Sequence, residues 1–458
     1  MKIRTLPVYS KLADEAEVRQ LGLWEKLPVN ADGSRWQLSQ HQVETYKALT
    51  AADGPDIIFN TAMTGDGKSL AAYLRVLQSD LHVIAMYPTN ELIRDQETRT
   101  GEYLTAWRSA ARLGTMDGPG ITQLMATSET RSRVEQIRKL LERNAILLTN
   151  PDLFHLMMNF KLGHQAWERK ELPFELPANF DYFIFDEFHI FDVLQIVNVV
   201  NALNYLTVQY RYKPTDRKRF VFLSATPHPL MSQLLGRGGL SVKQISGQYQ
   251  SQSIVGHRLI LQSCELYFDQ VTREQNIECW VKEHLGEIVQ FYRDYPNSKG
   301  AIIVNSVATA RRLKFWLTNN LPTDITVGEN TGLTDREERR ASFDKQLLVG
   351  TSTVDIGIDF RINLLIFEAT DAGTFIQRFG RLGRHTGFDL YRAYALLPQF
   401  IVERLSQRWP NDAVVERRDF NEVVREVYPT EQQFEQYASR WGVWQTAHLV
   451  AQSERAMP

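Results

Sequence analysis

The sequence predicts an α/β protein with two successive lobes, each built on a parallel sheet, followed by a short helical C-terminal segment. Short continuous apolar runs alternate with helical stretches, which is typical of parallel strands buried on both faces. The alternation restarts after a glycine-rich stretch at residues 236–240. The length of 458 residues also suits two or three domains.

Five apolar runs in each lobe are predicted as strands, because strand–helix–strand crossovers build parallel sheets. In the first lobe they are residues 56–61, 83–87, 145–149, 182–185 and 219–223. In the second lobe they are residues 258–262, 301–304, 346–350, 364–367 and 392–396. Residues 236–240, extended by the polar residues 247–253, are interpreted as a hinge.

The expected organisation has four parts. They are an N-terminal segment (1–35), a first lobe (36–240), a second lobe (241–399) and a helical tail (400–458). The stretch 110–144 and the tryptophans of the tail are candidates for partner docking. The ordinary alternative for both is a surface helix or core filling.

Composition narrows the class of protein. Hydrophobic residues make up 43% and charged residues 23%, which excludes a disordered or fibrous chain. No apolar run is long enough to span a bilayer, and two cysteines give no disulfide framework, so we expect a cytoplasmic protein with no membrane partner. The formal net charge of −2 does not by itself indicate nucleic acid. It does not exclude nucleic acid either, because a protein that moves along a strand needs only a local track of basic residues.

The strongest local pattern is the glycine-containing run 61–69, which follows a predicted strand and precedes a predicted helix. Its glycines let backbone amides form a nest for phosphates, its lysine adds a charge, and its serine hydroxyl can ligate Mg²⁺. The alternative is an ordinary turn before a helix. The expected ATP contacts are Thr64, Gly65, Asp66, Gly67, Lys68 and Ser69.

Two consecutive carboxylates, Asp186 and Glu187, end the apolar run 182–185. Such a pair is costly at the end of a buried strand unless it holds a cation, because desolvated like charges repel. We expect Asp186 to hold the water shell of Mg²⁺ and Glu187 to activate the attacking water. A solvated strand end is the alternative.

A second-lobe run contains Gln377, Arg381 and Arg384. The two arginines are three residues apart, so on a helix they project from the same face. They are predicted to reach the γ-phosphate when the lobes close, as arginine fingers do, while Gln377 helps position the water. The alternative is a basic helix surface that faces solvent or a phosphate backbone.

Together these motifs resemble the ordered set of superfamily 2 helicases, which have two RecA-like lobes, and the resemblance covers residues from about 40 to 385. It implies that Gln42 reads adenine and that Gly357 and Asp359 lie near the nucleotide. It implies that hydrolysis is coupled to lobe movement by His189, Ser224, Ala225 and Thr226. It also implies that the nucleic-acid strand is contacted by Pro88, Thr89, Thr149, Asn150, Asn305, Ser306 and Thr351.

The physical basis for these strand contacts is that loops after parallel strands lie at one sheet edge. There, amides and hydroxyls can bind phosphates without reading bases. For any single Thr or Ser, a helix cap is an equally good explanation.

Within this superfamily, residues 186–192, 331–339 and 377–381 resemble CRISPR-associated type I helicases, most closely the stand-alone subunit of type I-D systems. That resemblance implies a 3′→5′ translocase on the displaced single-stranded DNA. Its partners would be an RNA-guided surveillance complex and the large nuclease subunit of that complex. None of the ten histidines precedes an aspartate, so a fused HD nuclease is not expected.

Two other readings stay open. An RNA helicase or a DNA repair translocase would have the same core, and ATPase stimulation by DNA or RNA would distinguish them. A non-catalytic adaptor that binds ATP only as a structural ligand belongs to another class. The presence of Glu187, Arg381 and Arg384 argues against the adaptor, because an adaptor needs no base for an attacking water.

Overall fold

The computed structural model divides the chain into two compact units. The described residues are 1–127, 132–159, 161–162, 166–188, 191, 193–210, 217–224, 231, 235–272, 274–355, 360–428 and 437–456. One unit, called the first lobe below, contains Leu12–Gln248 and Glu431–Pro458. The other, called the second lobe, contains Met1–Lys11 and Tyr249–Thr430.

Eighteen strands lie in the described part of the chain. In order they are β1 (Lys2–Thr5), β2 (Val8–Lys11), β3 (Ile57–Asn60), β4 (Val83–Met86), β5 (Leu113–Met116), β6 (Ile146–Thr149), β7 (Tyr182–Asp186), β8 (Arg219–Leu223), β9 (Val242–Ile245), β10 (Tyr249–Gln250), β11 (His257–Leu261), β12 (Cys264–Val271), β13 (Gly300–Ile303), β14 (Val327–Asn330), β15 (Leu347–Gly350), β16 (Leu364–Glu368), β17 (Arg392–Pro398) and β18 (Ala413–Val415).

Helices connect these strands. The α-helices of the described residues are α1 (Glu15–Gln20), α2 (Gln40–Thr50), α3 (Lys68–Tyr73), α4 (Asn90–Trp107), α5 (Gly118–Thr127), α6 (Arg133–Arg143), α7 (Pro151–Met158), α8 (Ala166–Asn179), α9 (Val193–Tyr210), α10 (Ile277–Glu283), α11 (Leu285–Asp294), α12 (Val307–Asn320), α13 (Arg336–Ser342), α14 (Ser352–Asp355), α15 (Ala372–Phe379), α16 (Gln399–Arg408), α17 (Arg417–Val427) and α18 (Val443–Ala456). Within the described residues, no helix combines the length and apolar character needed to cross a membrane.

The first lobe is built on a seven-stranded sheet in which every pairing is parallel, in the order β5-β6-β4-β7-β8-β3-β9. Its central strands are buried on both faces, and Phe185 stacks on Phe222 with ring centroids 4.7 Å apart. Because all strands run the same way, their carboxyl ends meet at one edge of the sheet. That edge carries the loops after β3, β4, β6 and β7.

The second lobe has an eight-stranded sheet, in the order β14-β15-β13-β16-β17-β12-β1-β18. All its pairings are parallel except that of β1 with β12. A separate three-stranded sheet joins β10, β2 and β11. The predicted fold class, two RecA-like parallel-sheet lobes with a helical C-terminal segment, is therefore confirmed. Each of the ten predicted strands has a counterpart that differs by at most two residues at either end.

The structure divides the chain differently from the four predicted parts. Residues 1–11 are not a separate segment, because β1 adds to the second-lobe sheet and pairs with a strand more than 250 residues away. Residues 236–240 are not the boundary, since β9 follows them and pairs with β3 as the last strand of the first-lobe sheet. The two units change over at Gln248 and Tyr249.

The predicted tail over 400–458 is divided between the two units. The helices α16 and α17 pack in the second lobe, where Phe420 lies against Phe379. The last helix, α18, belongs to the first lobe, and Thr446 Oγ1 donates a hydrogen bond to Asn201 Oδ1 on α9 at 2.9 Å. The stretch 110–144 contributes β5, α5 and α6 to the first lobe. Ile137 and Leu141 of this stretch lie in the hydrophobic core, which agrees with the alternative that residues 110–144 fill the core.

Candidate functional site

The phosphate loop connects β3 to α3 at the carboxyl edge of the first-lobe sheet. Gly65 and Gly67 have φ of +89° and +79°, a backbone conformation that favours glycine. A Cβ on Gly67 would also lie 2.6 Å from Gln42 Nε2. Lys68 is buried, and its Nζ donates a hydrogen bond to the Ala62 carbonyl at 2.9 Å. The lysine ammonium is thus held at the loop that is predicted to bind phosphates.

Gln42 lies against this loop. Its Oε1 accepts a hydrogen bond from the Ser39 amide at 2.9 Å, and its Nε2 donates to the Gly67 carbonyl at 2.9 Å. The first contact belongs to the capping box that begins α2. The structure therefore places the predicted adenine reader beside the nucleotide loop, where both ends of its amide bind protein groups.

Asp66 lies in the loop, but its carboxylate turns inward and is fully buried. Ser39 Oγ donates to Asp66 Oδ1 at 2.7 Å, and His41 Nε2 lies 3.2 Å from Asp66 Oδ2. Asn60 Nδ2 lies 3.0 Å from His41 Nδ1, on the side of the imidazole opposite to Asp66. The Asp66 carboxylate is consequently a clamp between the loop and α2.

The acid pair lies at the carboxyl end of β7. Ser69 Oγ donates to Asp186 Oδ2 at 3.3 Å. Burial, reinforced by the neighbouring Glu187 charge, raises the pKa of Asp186 to about 7, and Lys68 only partly opposes this shift. A buried carboxyl with a raised pKa beside a serine hydroxyl suits a hard divalent cation, which takes oxygen ligands. Ser69 and Asp186 therefore fit the predicted Mg²⁺ site.

Glu187 has a backbone φ of +47°, which is rare for a residue with a side chain. Its amide donates to Asp186 Oδ1 at 2.8 Å, so the turn after β7 is held by the first acid of the pair. Strained backbone of this kind is found often at functional sites.

Of the residues expected to couple hydrolysis to lobe movement, Ser224 is buried after β8, and its amide donates to the Asn60 carbonyl at 3.2 Å. Five predicted positions lie outside the described residues: His189, Ala225, Thr226, Gly357 and Asp359.

The predicted strand contacts of the first lobe lie together at the sheet edge. The Tyr87 amide donates to the Thr149 carbonyl at 2.9 Å, which joins the loops after β4 and β6. Pro88 is half-buried, and Thr89 caps α4 through the Leu92 amide.

Asn150 and Thr149 also have structural contacts. Asn150 caps α7 and donates to Asn90 Oδ1 at 3.1 Å. The Thr149 hydroxyl is buried and donates to the Met116 carbonyl, so this hydroxyl faces the protein interior. The helix-cap alternative therefore holds for Asn150, as it does for Thr89.

In the second lobe, Gln377 and Arg381 are buried, and Arg384 is half-buried. The helix α15 ends at Phe379, so the two arginines lie in the turn that follows it and not on one helix face. Gly383, with φ of +84°, forms part of this turn, and Arg384 Nε donates to the Gly380 carbonyl at 2.7 Å. The prediction that Arg381 and Arg384 project from the same face of a helix is therefore wrong.

Arg378, to which no sequence motif assigned a role, connects α15 to a predicted strand contact. Its guanidinium is buried and donates to Asn305 Oδ1 at 2.9 Å. The Asn305 amide donates to Glu368 Oε2 at 2.9 Å. Ser306 caps α12, and Thr351 is buried after β15. The position of Arg378 within the run 377–384 was the available signal, but its partner lies 73 residues away in sequence.

Comparisons with known proteins agree with this architecture. Residues 39–233 match the family described as DEAD/DEAH box helicase. Residues 296–387 match the family described as CRISPR-associated nuclease/helicase Cas3, C-terminal. No curated protein matches the chain.

Solved helicase structures share the fold at low sequence identity. The DUF1998 helicase MrfA bound to DNA has a TM-score of 0.63 at 17% identity, covering 92% of this chain and 58% of that one. Mss116p bound to ssRNA and AMP-PNP has a TM-score of 0.60 at 15% identity, with 97% and 89% covered. The T. fusca Cas3–AMPPNP structure has a TM-score of 0.60 at 18% identity, with 91% and 54% covered.

The chain thus spans little more than half the length of the MrfA and Cas3 structures. Residues 39–233 are thus similar to DEAD/DEAH box helicases, residues 296–387 are similar to the C-terminal part of Cas3, and the fold is shared with solved helicase structures.

Proposed function

We propose that this protein is an ATP-dependent translocase on single-stranded DNA that acts in CRISPR type I interference, the antiviral defence. It unwinds target DNA in the 3′→5′ direction for a separate nuclease subunit, after recruitment by an RNA-guided surveillance complex. The observation that carries the ATPase part is the meeting of the phosphate loop, Ser69 and Asp186 at one sheet edge. The Cas3-like match over residues 296–387 and the run 186–192 favour the CRISPR setting.

Each functional residue of the first lobe has its own role in ATP hydrolysis. Lys68 and the loop amides bind the triphosphate, and Gln42 holds the loop beside the adenine. Ser69 and Asp186 would hold Mg²⁺, which would neutralise phosphate charge. Glu187 accepts a proton from the water that attacks the γ-phosphorus, while the bond to the bridging oxygen breaks and ADP leaves.

The second lobe supplies positive charge and strand contacts. By resemblance, Arg381 and Arg384 stabilise the charge that develops on the transferred phosphoryl group, and Gln377 orients the water. Asn305, Ser306 and Thr351 contact the strand backbone together with the first-lobe loops. Such contacts favour movement along a strand over reading of bases.

An RNA strand is the second candidate substrate, because one of the similar structures is described as bound to ssRNA. The discriminating experiment compares ATPase rates with single-stranded DNA, duplex DNA and RNA of the same length and sequence. We expect single-stranded DNA to stimulate most. Stimulation by RNA alone would replace the DNA assignment, and an absence of hydrolysis with every strand would favour the ATP-binding adaptor.

The CRISPR setting needs its own test. The protein is mixed with a type I surveillance complex and its large nuclease subunit, with or without bound target DNA. We expect retention on the target-bound complex and ATP-dependent degradation of the target. Retention that does not depend on the target, or target degradation that does not need ATP, would contradict the assignment.

A further inference from the structure

Two fully buried phenols meet inside the first lobe. Tyr73 is the last residue of α3, the helix that begins at Lys68, and Tyr87 directly follows β4. Their hydroxyl oxygens are 2.7 Å apart, which is a hydrogen bond in which either group can donate. Both side chains have no exposed surface.

Burying these hydroxyls has a free-energy cost that a pair of phenylalanines would not have. Their mutual hydrogen bond offsets part of that cost, and water cannot replace it in a site from which solvent is excluded. Burial raises the pKa of both phenols, and the charge of Asp186 raises them further. Both groups are thus neutral hydrogen-bonding groups that interact electrostatically with Asp186.

The pair connects two functional elements of the same lobe. On one side, Tyr73 lies one helical turn beyond Ser69, so it moves with the phosphate loop. On the other side, Tyr87 precedes Pro88 and Thr89, and its amide donates to the Thr149 carbonyl. The Tyr73–Tyr87 hydrogen bond therefore joins α3 to the residue that precedes one of the proposed strand-contacting loops and binds the backbone of the other.

We infer that the Tyr73–Tyr87 hydrogen bond is a positioning contact that couples the phosphate loop to the strand-contacting loops of the first lobe. The inference rests on the proposed function, because it requires that these loops bind nucleic acid. Neither tyrosine is proposed to contact ATP or the strand. Both act by fixing the position of α3 relative to the loop after β4.

A matched control exists in the same core. Tyr182 on β7 is also fully buried, and its hydroxyl donates to the Ala72 carbonyl on α3 at 3.0 Å. Its phenol therefore contacts the same helix, but it binds the helix backbone and not a strand-contacting loop. Removing its hydroxyl tests what loss of a buried hydrogen bond on α3 does by itself.

The experiment compares the full-length protein with Tyr73→Phe, Tyr87→Phe, the double variant and Tyr182→Phe. For each protein we measure the ATPase rate without strand, the maximal rate with single-stranded DNA, the DNA concentration at half-maximal stimulation, and the melting temperature. Because each change removes one oxygen atom, the variants should fold, and the melting temperature checks this.

We expect either single change at the pair to reduce the ratio of stimulated to unstimulated rate, roughly 2-fold to 30-fold for a coupling contact of this kind. The double variant should show the same reduction as the single ones, since the bond is already lost. Tyr182→Phe should keep the wild-type ratio even if it melts earlier. Wild-type ratios in all variants, or additive losses in the double variant, would overturn the coupling role.

Failure of the proposed function has a different signature. If the unaltered protein hydrolyses ATP but no DNA or RNA strand stimulates it, the loops do not contact a strand and the proposed function itself is refuted. If the unaltered protein is stimulated and both single variants are stimulated as strongly as the unaltered protein, only the coupling inference is refuted.

Discussion

Replacing Asp186 with asparagine removes a buried carboxyl group whose ionisation opposes folding in the metal-free protein. Its pKa rises from 3.8 in the unfolded chain to about 7 in the fold, chiefly through burial and then through Glu187. Each pKa unit corresponds to about 1.4 kcal/mol, so ionisation at alkaline pH costs on the order of 4 kcal/mol of stability.

The sign follows from linkage. A carboxyl whose folded pKa lies above its unfolded value binds more protons in the folded state, so stability falls as pH rises from about 4 to about 7. Asparagine does not ionise, so Asp186→Asn should lose that dependence. With EDTA present at pH 8, we expect the variant to be more stable than the unaltered protein, by up to about 4 kcal/mol.

The assay is urea unfolding followed by circular dichroism at pH 5, 6, 7 and 8, with EDTA or with Mg²⁺ and a non-hydrolysable ATP analogue. Mg²⁺ with the analogue should stabilise the unaltered protein far more than Asp186→Asn, because the carboxylate is the proposed cation ligand. A variant that is less stable than the unaltered protein at pH 8 in EDTA would refute this reasoning.

Asp56 provides a control with the opposite sign. Arg217 Nε donates to Asp56 Oδ1 at 2.6 Å, and hydrogen bonds from Arg217 and Ser241 outweigh burial and lower the pKa of Asp56. Its contribution to stability is present above the unfolded pKa and is lost as pH falls through the folded pKa. We therefore expect Asp56→Asn to destabilise the protein at pH 8, where Asp186→Asn stabilises it.

Three further predictions concern activity. Glu187→Gln should lower ATP turnover at least 100-fold while nucleotide binding persists, as measured by ATPase and fluorescent-nucleotide titration; full-rate hydrolysis would exclude Glu187 as the base. Gly67→Ala should weaken ATP binding about 10-fold or more, because φ of +79° and the nearby side-chain amide of Gln42 oppose an added Cβ, with a strain cost of about 1 to 3 kcal/mol. An unchanged ATP affinity in the same titration would contradict this prediction. Arg378→Gln should weaken single-stranded DNA binding about 10-fold through Asn305, since a hydrogen bond to a charged group contributes about 1.5 kcal/mol. The control Arg417→Gln removes another buried arginine that is bonded to the end of α15, and it should lower the melting temperature without weakening DNA binding. Equal DNA affinities of Arg378→Gln and the unaltered protein would contradict the role of Arg378.

The loops that build the proposed nucleotide site were predictable because each lies beside a strand that the sequence marks clearly. The β3 and β7 runs are continuous and apolar, and in a parallel sheet the residues after them must reach the same edge. Lys68, Ser69 and Asp186 therefore come together as expected. The fold class followed from the same repeated pattern, since it depends only on local periodicity.

Several short strands were not predictable from local pattern. The strands β1 and β18 have only four and three residues, and they form strands because they pair with segments far away in the sequence. The division of the two lobes has the same origin, because contacts far apart in sequence decide which unit a segment joins. Residues 1–11 and 431–458 each join the unit that does not contain the residues next to them in the chain.

By itself, the sequence determined which residue types stand after which strands, and so the identity of the phosphate loop and the acid pair. Only the tertiary structure decided how their side chains are oriented. It turned the Asp66 carboxylate towards His41, placed Arg381 in a turn and not on the helix, and joined Tyr73 to Tyr87. The physical reason is that periodicity reports which face of an element is buried, whereas a buried polar group binds whichever partner the packing of distant elements brings within hydrogen-bond distance.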